Sequence, residues 1–192
     1  MKKVEHTLES LISACREGSS PAQKEIYLRY SRAMYNTAFR IVNDEWEAED
    51  LMQEAFLDAF DNLKSYEGRA SFGSWLKRIV INRCLNHLKK RKISFTPAKE
   101  EEWEKLPEEN PEEDQPDIDI SPESVSAAIE KLADGFRVIV SLYLIEGYDH
   151  QEIGEILNIQ ASTSRSQFAR GKEKLRKILL KQIQMKTYNG KR

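Results

Sequence analysis

A stretch near the middle of the chain, residues 93–124, limits every fold the rest can adopt. It holds five of the six prolines (Pro97, Pro107, Pro111, Pro116 and Pro122) and 12 acidic side chains against 2 basic ones. Each proline removes a backbone donor and biases the residue before it away from helix, while the like charges repel one another. With few large apolar groups, such a segment cannot enclose a core. It reads as an extended acidic linker over 93–121 between two domains, 1–92 and 122–192. Residues 1–92 carry 16 basic and 13 acidic side chains, and residues 125–192 carry 12 and 7. The formal net charge of −2 therefore conceals two mildly basic bodies around an acidic joint.

Both flanks repeat apolar residues at helical spacing, and no segment alternates as a strand would. Leu8, Leu11, Ile12 and Cys15 form a first stripe, stopped by Gly18. Ser20-Pro21-Ala22-Gln23 reads as a hydroxyl cap with proline in the first turn, opening a helix that carries Ile26, Tyr30, Met34, Ala38 and Ile41. Asp44, with Glu47 three residues on, opens a third helix presenting Leu51, Ala55, Ala59 and Leu63. Tyr66–Ala70 is a loop, and Ser71 caps a fourth helix with Phe72, Leu76, Ile79, Val80 and Leu88 inward. Beyond the linker, Ser121-Pro122 starts a helix holding Val125, Ala128, Ile129 and Leu132. Asp134 is expected to cap the next, which carries Phe136, Ile139, Val140, Tyr143 and Leu144 and ends by Gly147. Asp149-His150-Gln151-Glu152 is a capping box. Asn158 then sits where a left-handed residue is wanted, before a basic helix running from about Gln160 toward Gln184. A short helix, a tight turn and a basic helix make a helix-turn-helix arrangement. The expected fold is all-α, two small helical domains.

No apolar run approaches the ~20 residues of a membrane span, and the start of the chain lacks a signal-peptide core. Cys15 and Cys84 are too few for a disulfide framework. An intracellular, cytoplasmic protein without membrane insertion is expected.

Charge is clustered where chemistry could use it. Residues 77–92 contain Lys77, Arg78, Arg83, Lys89, Lys90, Arg91 and Lys92 and no acidic residue, with Phe72, Trp75 and Asn82 near the start. Cations attract phosphate, aromatic faces stack on unpaired bases, and an amide reads a base edge. A solvated face over a core containing Phe72 and Trp75 has the same composition. The last helix is basic too, and its early residues Ser162, Thr163, Ser164, Arg165, Ser166 and Gln167 suit a major groove. An acidic face (Glu45, Glu47, Glu49, Asp50, Gln53, Glu54, Asp58, Asp61) is either a docking surface or solvated ground. Enzyme readings find no support: there is no glycine-rich phosphate loop, no G-x-S-x-G and no H-E-x-x-H. His6, His87 and His150 are scattered, neither cysteine has a partner at metal spacing, and no cofactor or metal is expected.

Two motif blocks in order resemble a known family. Glu49-Asp50-Leu51-Met52-Gln53-Glu54-Ala55-Phe56, followed by Phe72-Gly73-Ser74-Trp75-Leu76-Lys77-Arg78-Ile79-Val80-Ile81-Asn82, is similar to region 2 of the extracytoplasmic-function sigma factors of the sigma-70 family. Leu132–Arg137, Leu144–Gly154 and Thr163–Arg170 resemble their region 4. The resemblance implies a dissociable RNA polymerase subunit that directs promoter recognition. It implies that Asp50, Leu51, Gln53, Glu54 and Phe56 dock on the clamp helices of the largest polymerase subunit, with region 4 at the flap of the second largest. It further implies that Arg69, Ser71, Arg78, Asn82, Arg83, Lys89, Lys90 and Arg91 engage the −10 element, Asn82 lining a base pocket and the cations holding phosphates. Trp75 is expected to pack in the core rather than on a base. Thr163, Arg165, Ser166, Gln167, Arg170 and Lys172 are implied to read the −35 element. An anti-sigma factor is a possible further partner. Gly171 stands where the family often has alanine, and a mid-helix glycine costs about 1 kcal/mol, so a bend or fraying is expected there. The competing readings are a stand-alone helix-turn-helix regulator, which would need a dimerising surface, and a helical scaffold with incidental basic faces.

Overall fold

The computed structural model describes residues 7–91, 93, 95 and 121–189, so nearly all of the expected linker lies outside the described residues. The regular structure among these residues is entirely helical, in agreement with the expected all-α class. They divide into two compact units on either side of Lys92/Ile93.

The first unit contains α1 (Leu8–Arg16), α2 (Ser20–Val42), α3 (Glu45–Asp61), a single 3-10 turn (Leu63–Ser65) and α4 (Phe72–Lys90). The caps follow sequence chemistry at three of four starts. Backbone N–H groups of Ser10, Glu47 and Ser74 donate to the side chains of Thr7, Asp44 and Ser71 at 3.3, 2.9 and 3.1 Å. At α2 the cap position is Ser19 rather than Ser20, and its hydroxyl makes no capping hydrogen bond. Pro21 opens this helix instead, because the N–H it lacks would have had no helical partner. Asn43 adopts φ 57° and closes the helix.

Helices α2, α3 and α4 pack mutually, with α1 against α2. Their core takes Ile26, Met34 and Ile41 from α2, Leu51, Met52 and Phe56 from α3, and Leu76, Val80, Ile81, Leu85 and Leu88 from α4. Ala38, Ala48 and Ala55 are fully buried, small side chains where the helices come close. Burying each large aliphatic or aromatic group contributes about 1.5–3 kcal/mol. Both cysteines lie in this core, and burial pushes the Cys84 thiol up to about 12.

The second unit contains α5 (Pro122–Ile129), α6 (Asp134–Leu144), α7 (His150–Leu157) and α8 (Ala161–Asn189). Helix α6 is its axis: Val138, Ile139, Val140, Ser141 and Leu142 are wholly buried. Ala128, Ile129, Leu132, Val140 and Leu175 form one cluster, flanked by Val125, Phe136 and Phe168. Helix α5 ends at Ile129, so Leu132 is buried in the turn that follows rather than on the helix.

Two expectations are corrected here. Asp134 is the first residue of α6 and Ala133 the cap position, without a side-chain cap. Asp134 instead accepts from Arg137 Nη2 at 2.7 Å, and Arg137, 2% exposed, also donates to the Leu132 carbonyl at 3.2 Å. The carboxylate thus serves a buried guanidinium rather than an open helix end. Gly171 is not a weak place in α8 but a contact: a Cβ there would lie 2.7 Å from Val140 Cγ2. Its missing side chain lets α8 lie against α6.

Gly154 is a second such place, where a Cβ would fall 2.9 Å from the carbonyl oxygen of Ile159. Backbone cannot move aside as a side-chain tip can. Gly154→Ala is expected to destabilise the second unit by about 1–3 kcal/mol, read as faster hydrogen exchange over 150–165. Because the first unit has its own core, alkylation of Cys15 and Cys84 at pH 8 should stay slow in this variant. Rapid alkylation of Cys84, whose thiol is protonated far above pH 8, would show instead that the first unit opens with the second.

Candidate promoter and polymerase interfaces

The helical period sorts the cations of α4. With Leu76, Val80, Ile81, Cys84, Leu85 and Leu88 turned inward, Asn82, Asn86, Lys89, Lys90 and Arg91 are exposed. A groove of about 930 Å³ runs between α3 and α4, lined by Trp75, Ile79, Asn82, Asn86 and Lys90 on one side and Asp50, Glu54 and Asp58 on the other. Ile79, expected in the core, is only half-buried and lines this groove.

Carboxylates of α3 reach across to α4. Arg83 pairs with Asp58 and lies 3.4 Å from Glu54. Arg91 and His87 lie 3.0 and 3.2 Å from the Glu47 carboxylate. Two of the cations expected on phosphate are therefore bridged to the acidic helix, while Lys89 and Lys90 have no ion-pair partner among the described residues. Arg78 is half-buried.

The loop before α4 is held by its own contacts. Gly68 takes φ +76°, Tyr66 Oη donates to the Ala70 carbonyl at 2.9 Å, and Arg16 donates to the Tyr66 carbonyl at 2.6 Å. The Tyr66, Phe72 and Trp75 rings pack at centroid distances of 5.3–5.5 Å. Trp75 therefore belongs to an aromatic cluster supporting the loop; expected in the core, it is only half-buried and lines the groove. Arg69 and Ser71 are exposed, Arg69 pairing with Glu67 at 2.8 Å.

On α3, Asp50 and Gln53 are exposed and Glu54 half-buried. Leu51 and Phe56, implied as docking residues, are 5% and 2% exposed. They lie on the inward stripe of α3, so they support the docking face from beneath. Two residues the motif did not single out are open on the same helix: Trp46 at 82% and Leu57 at 65%. Their positions outside the apolar stripe were the available signal. Tyr27, Arg32, Tyr35 and Trp46 line a smaller groove between α2 and α3.

In the second unit the capping box forms in full. Asp149 accepts from the Gln151 and Glu152 amides at 2.7 and 2.8 Å, and Glu152 accepts from the Asp149 amide at 2.8 Å. Asn158 has φ 57°, and the Ile159 amide donates back to Gly154 at 2.9 Å, which closes the turn. Along α8, Ser162, Arg165, Ser166, Ala169 and Lys172 form an exposed stripe. Thr163 is half-buried, and so is Arg170, whose pKa burial lowers while leaving it a cation. Ser164 and Gln167 are 0% and 6% exposed. Both correct the sequence reading: with Gly171 and Leu175 they lie on the buried face of α8, away from the stripe that a base edge could meet.

Among the described residues no group of His, Cys, Asp and Glu could hold a metal, and no helix is long and apolar enough to cross a membrane. Residues 26–93 match the family model Sigma-70 region 2, and residues 123–175 match Sigma-70, region 4. The ECF RNA polymerase sigma factor SigW of Bacillus subtilis (strain 168) is 30% identical over 185 residues, covering 92% of this chain and 98% of that one. The ECF RNA polymerase sigma factor SigE of Mycolicibacterium smegmatis is 32% identical over 167 residues, 86% of this chain, which spans 64% of that longer relative. The fold resembles that of the sigma factor RpoE from Bartonella quintana, solved with the anti-sigma factor NepR. The TM-score is 0.54 at 19% identity, covering 81% of this chain and 95% of that one. With both regions present, in family order and on two helical units, the chain belongs to the extracytoplasmic-function sigma factors of the sigma-70 family: it binds core RNA polymerase and directs it to specific promoters for transcription initiation.

Proposed function

We propose that the two units, residues 1–92 and 122–192, divide promoter recognition between the α3–α4 groove and the outer stripe of α8, with residues 93–121 as the linker. The observation that carries this is the exposed run Arg165, Ser166, Ala169 and Lys172 directly after a closed helix-turn-helix turn. A helix entering a major groove places its early residues against base edges, and Arg165 there suits guanine. Thr163, Arg170 and Lys172 are assigned to flanking −35 contacts. In the first unit, Asn82 opens onto the groove beside Trp75 and is assigned to an unpaired base of the −10 element. Arg69, Ser71, Arg78, Lys89 and Lys90 are assigned to the strand backbone.

Asp50, Gln53 and Glu54, with Trp46 and Leu57 beside them, are assigned to the clamp helices of the largest polymerase subunit, and the second unit to the flap of the second largest. An anti-sigma protein, of the kind solved with RpoE, is proposed as a competitor for these surfaces. The chain acts in the cytoplasm and performs no catalysis of its own.

Run-off transcription with core polymerase, using the promoter upstream of this protein's gene, tests the assignments. Asn82→Ala and Arg165→Ala are each expected to lower the transcript about tenfold, the effect of a contact worth about 1.4 kcal/mol. Both residues are exposed, so their thermal stability should match wild type; undiminished transcripts would remove the assignments. Trp46→Ala with Leu57→Ala is expected to weaken binding to core polymerase at least tenfold, measured by fluorescence anisotropy. Replacing Lys89 and Lys90 by alanine should reduce the slope of log affinity against log salt for the holoenzyme on promoter DNA by about one per lysine.

A further inference from the structure

One contact at the start of α8 serves neither the exposed stripe nor the apolar core. Ser164 is fully buried on the face of α8 that meets its neighbours. A hydroxyl left without a partner in such a place costs about 1–3 kcal/mol. Its partner is His150, the first residue of α7, whose Nδ1 lies 3.0 Å from Ser164 Oγ. The imidazole stacks on Tyr143 of α6 at 4.6 Å and 17°, and Phe168 of α8 lies 5.6 Å from it and 4.4 Å from Tyr143. A part-buried hydrogen bond thus joins α7 to α8, flanked by the half-buried Phe168 ring and by Tyr143 of α6, which is itself 38% exposed. Burial holds the His150 imidazole below its ordinary range, with the charge of Arg165 acting the same way and Asp149 opposing. Near pH 7 the ring is therefore neutral, and Nδ1 and the serine hydroxyl share one hydrogen bond whose donor is set by the imidazole tautomer.

We propose that His150 is the positioning residue of the promoter-reading helix, fixing the rotation of α8 through Ser164. Apolar contacts are non-directional, so a helix seated on them alone can roll and slide by small amounts. A hydrogen bond weakens steeply once its angle or length departs from ideal. Placed on the residue immediately before Arg165, it holds the azimuth at which Arg165 and Ser166 leave the surface. This rests on the assignment of α8 as the −35 reader.

The test uses full-length chain with core polymerase and the promoter fragment upstream of its own gene, the −35 hexamer randomised and the rest fixed. The readout is the enrichment of the preferred hexamer over the library mean. His150→Phe keeps the stacking and removes the ring nitrogen; Ser164→Ala removes the hydroxyl. Each is expected to lower enrichment about fivefold, the factor that about 1 kcal/mol corresponds to, with binding to core polymerase unchanged within twofold. The double variant should lose no more than either single one, since both break the same bond. His150→Asn, whose side-chain amide sits near the place of Nδ1 and can accept or donate there, should restore most of the selectivity, which a packing role alone would not. If His150→Phe does not fold, Ser164→Ala, which removes one oxygen atom, carries the test. Wild-type sharpness in both single variants, or losses that add in the double variant, would overturn the proposal. If Arg165→Ala flattens the selection and neither His150→Phe nor Ser164→Ala does, this proposal alone falls. If the wild-type selection is flat, the assignment of α8 falls and takes this one with it.

Discussion

Everything at the surface of this protein depends on the rotation of each helix about its own axis. On α3 the burial of Ala48, Leu51, Met52, Ala55, Phe56 and Ala59 leaves one orientation, and Asp50, Gln53 and Leu57 face outward as its consequence. On α4, Leu76, Val80, Cys84 and Leu88 bring Asn82 and Lys89 to the surface in the same way. Rolling α3 by one residue, about 100°, would place Gln53 in the core and Leu51 in water. Several buried groups at about 1.5–3 kcal/mol each oppose it, and no new interaction at the surface is strong enough to offset them. The partner-facing residues are thus placed by side chains that touch no partner.

That dependence explains which features were legible in advance. Period and caps are local, so the helices, the Asp149 capping box and the left-handed Asn158 could be read from a few neighbouring letters. A motif, by contrast, is a contiguous run, and on a helix a contiguous run points in all directions. Asp50-Leu51 and Ser166-Gln167 each pair an exposed residue with a buried one, although both members belong to the family pattern. Only apolar periodicity separates them. Leu51 and Phe56 could have been separated that way; Gln167 could not, being a polar residue on a buried face. Features that need a second element were beyond reach. Gly171 looks like a defect in α8 until Val140 is seen 2.7 Å from where its Cβ would be. Ser164 looks like a groove-facing hydroxyl until His150, fourteen residues earlier, is found beside it. Asp134 passes for a cap until Arg137 is seen to be buried.

The bridging of α4 to α3 sets the proposed functions against each other at first sight, since Glu54 cannot hold Arg83 and a polymerase cation equally well. The magnitudes remove the conflict. Arg83, Glu54 and Asp58 have side chains 35%, 45% and 41% exposed, so water already competes for every member of the group. Such pairs contribute about 0.2–1 kcal/mol, less with added salt. Exchanging a carboxylate for a phosphate at the same guanidinium replaces one charge-assisted hydrogen bond by another of similar strength. The exchange is therefore nearly neutral in free energy, and Arg83 and Arg91 remain usable cations despite their partners. What the bridges do accomplish lies in the unbound protein. The six cations of residues 77–91 would repel one another on α4 and at its end, and the facing carboxylates of Glu47, Glu54 and Asp58 neutralise part of that field while tying α4 to the helix beside it. The acidic face of α3 is then both the counter-charge of the basic helix and the surface left to a partner, because only its groove side is occupied by α4.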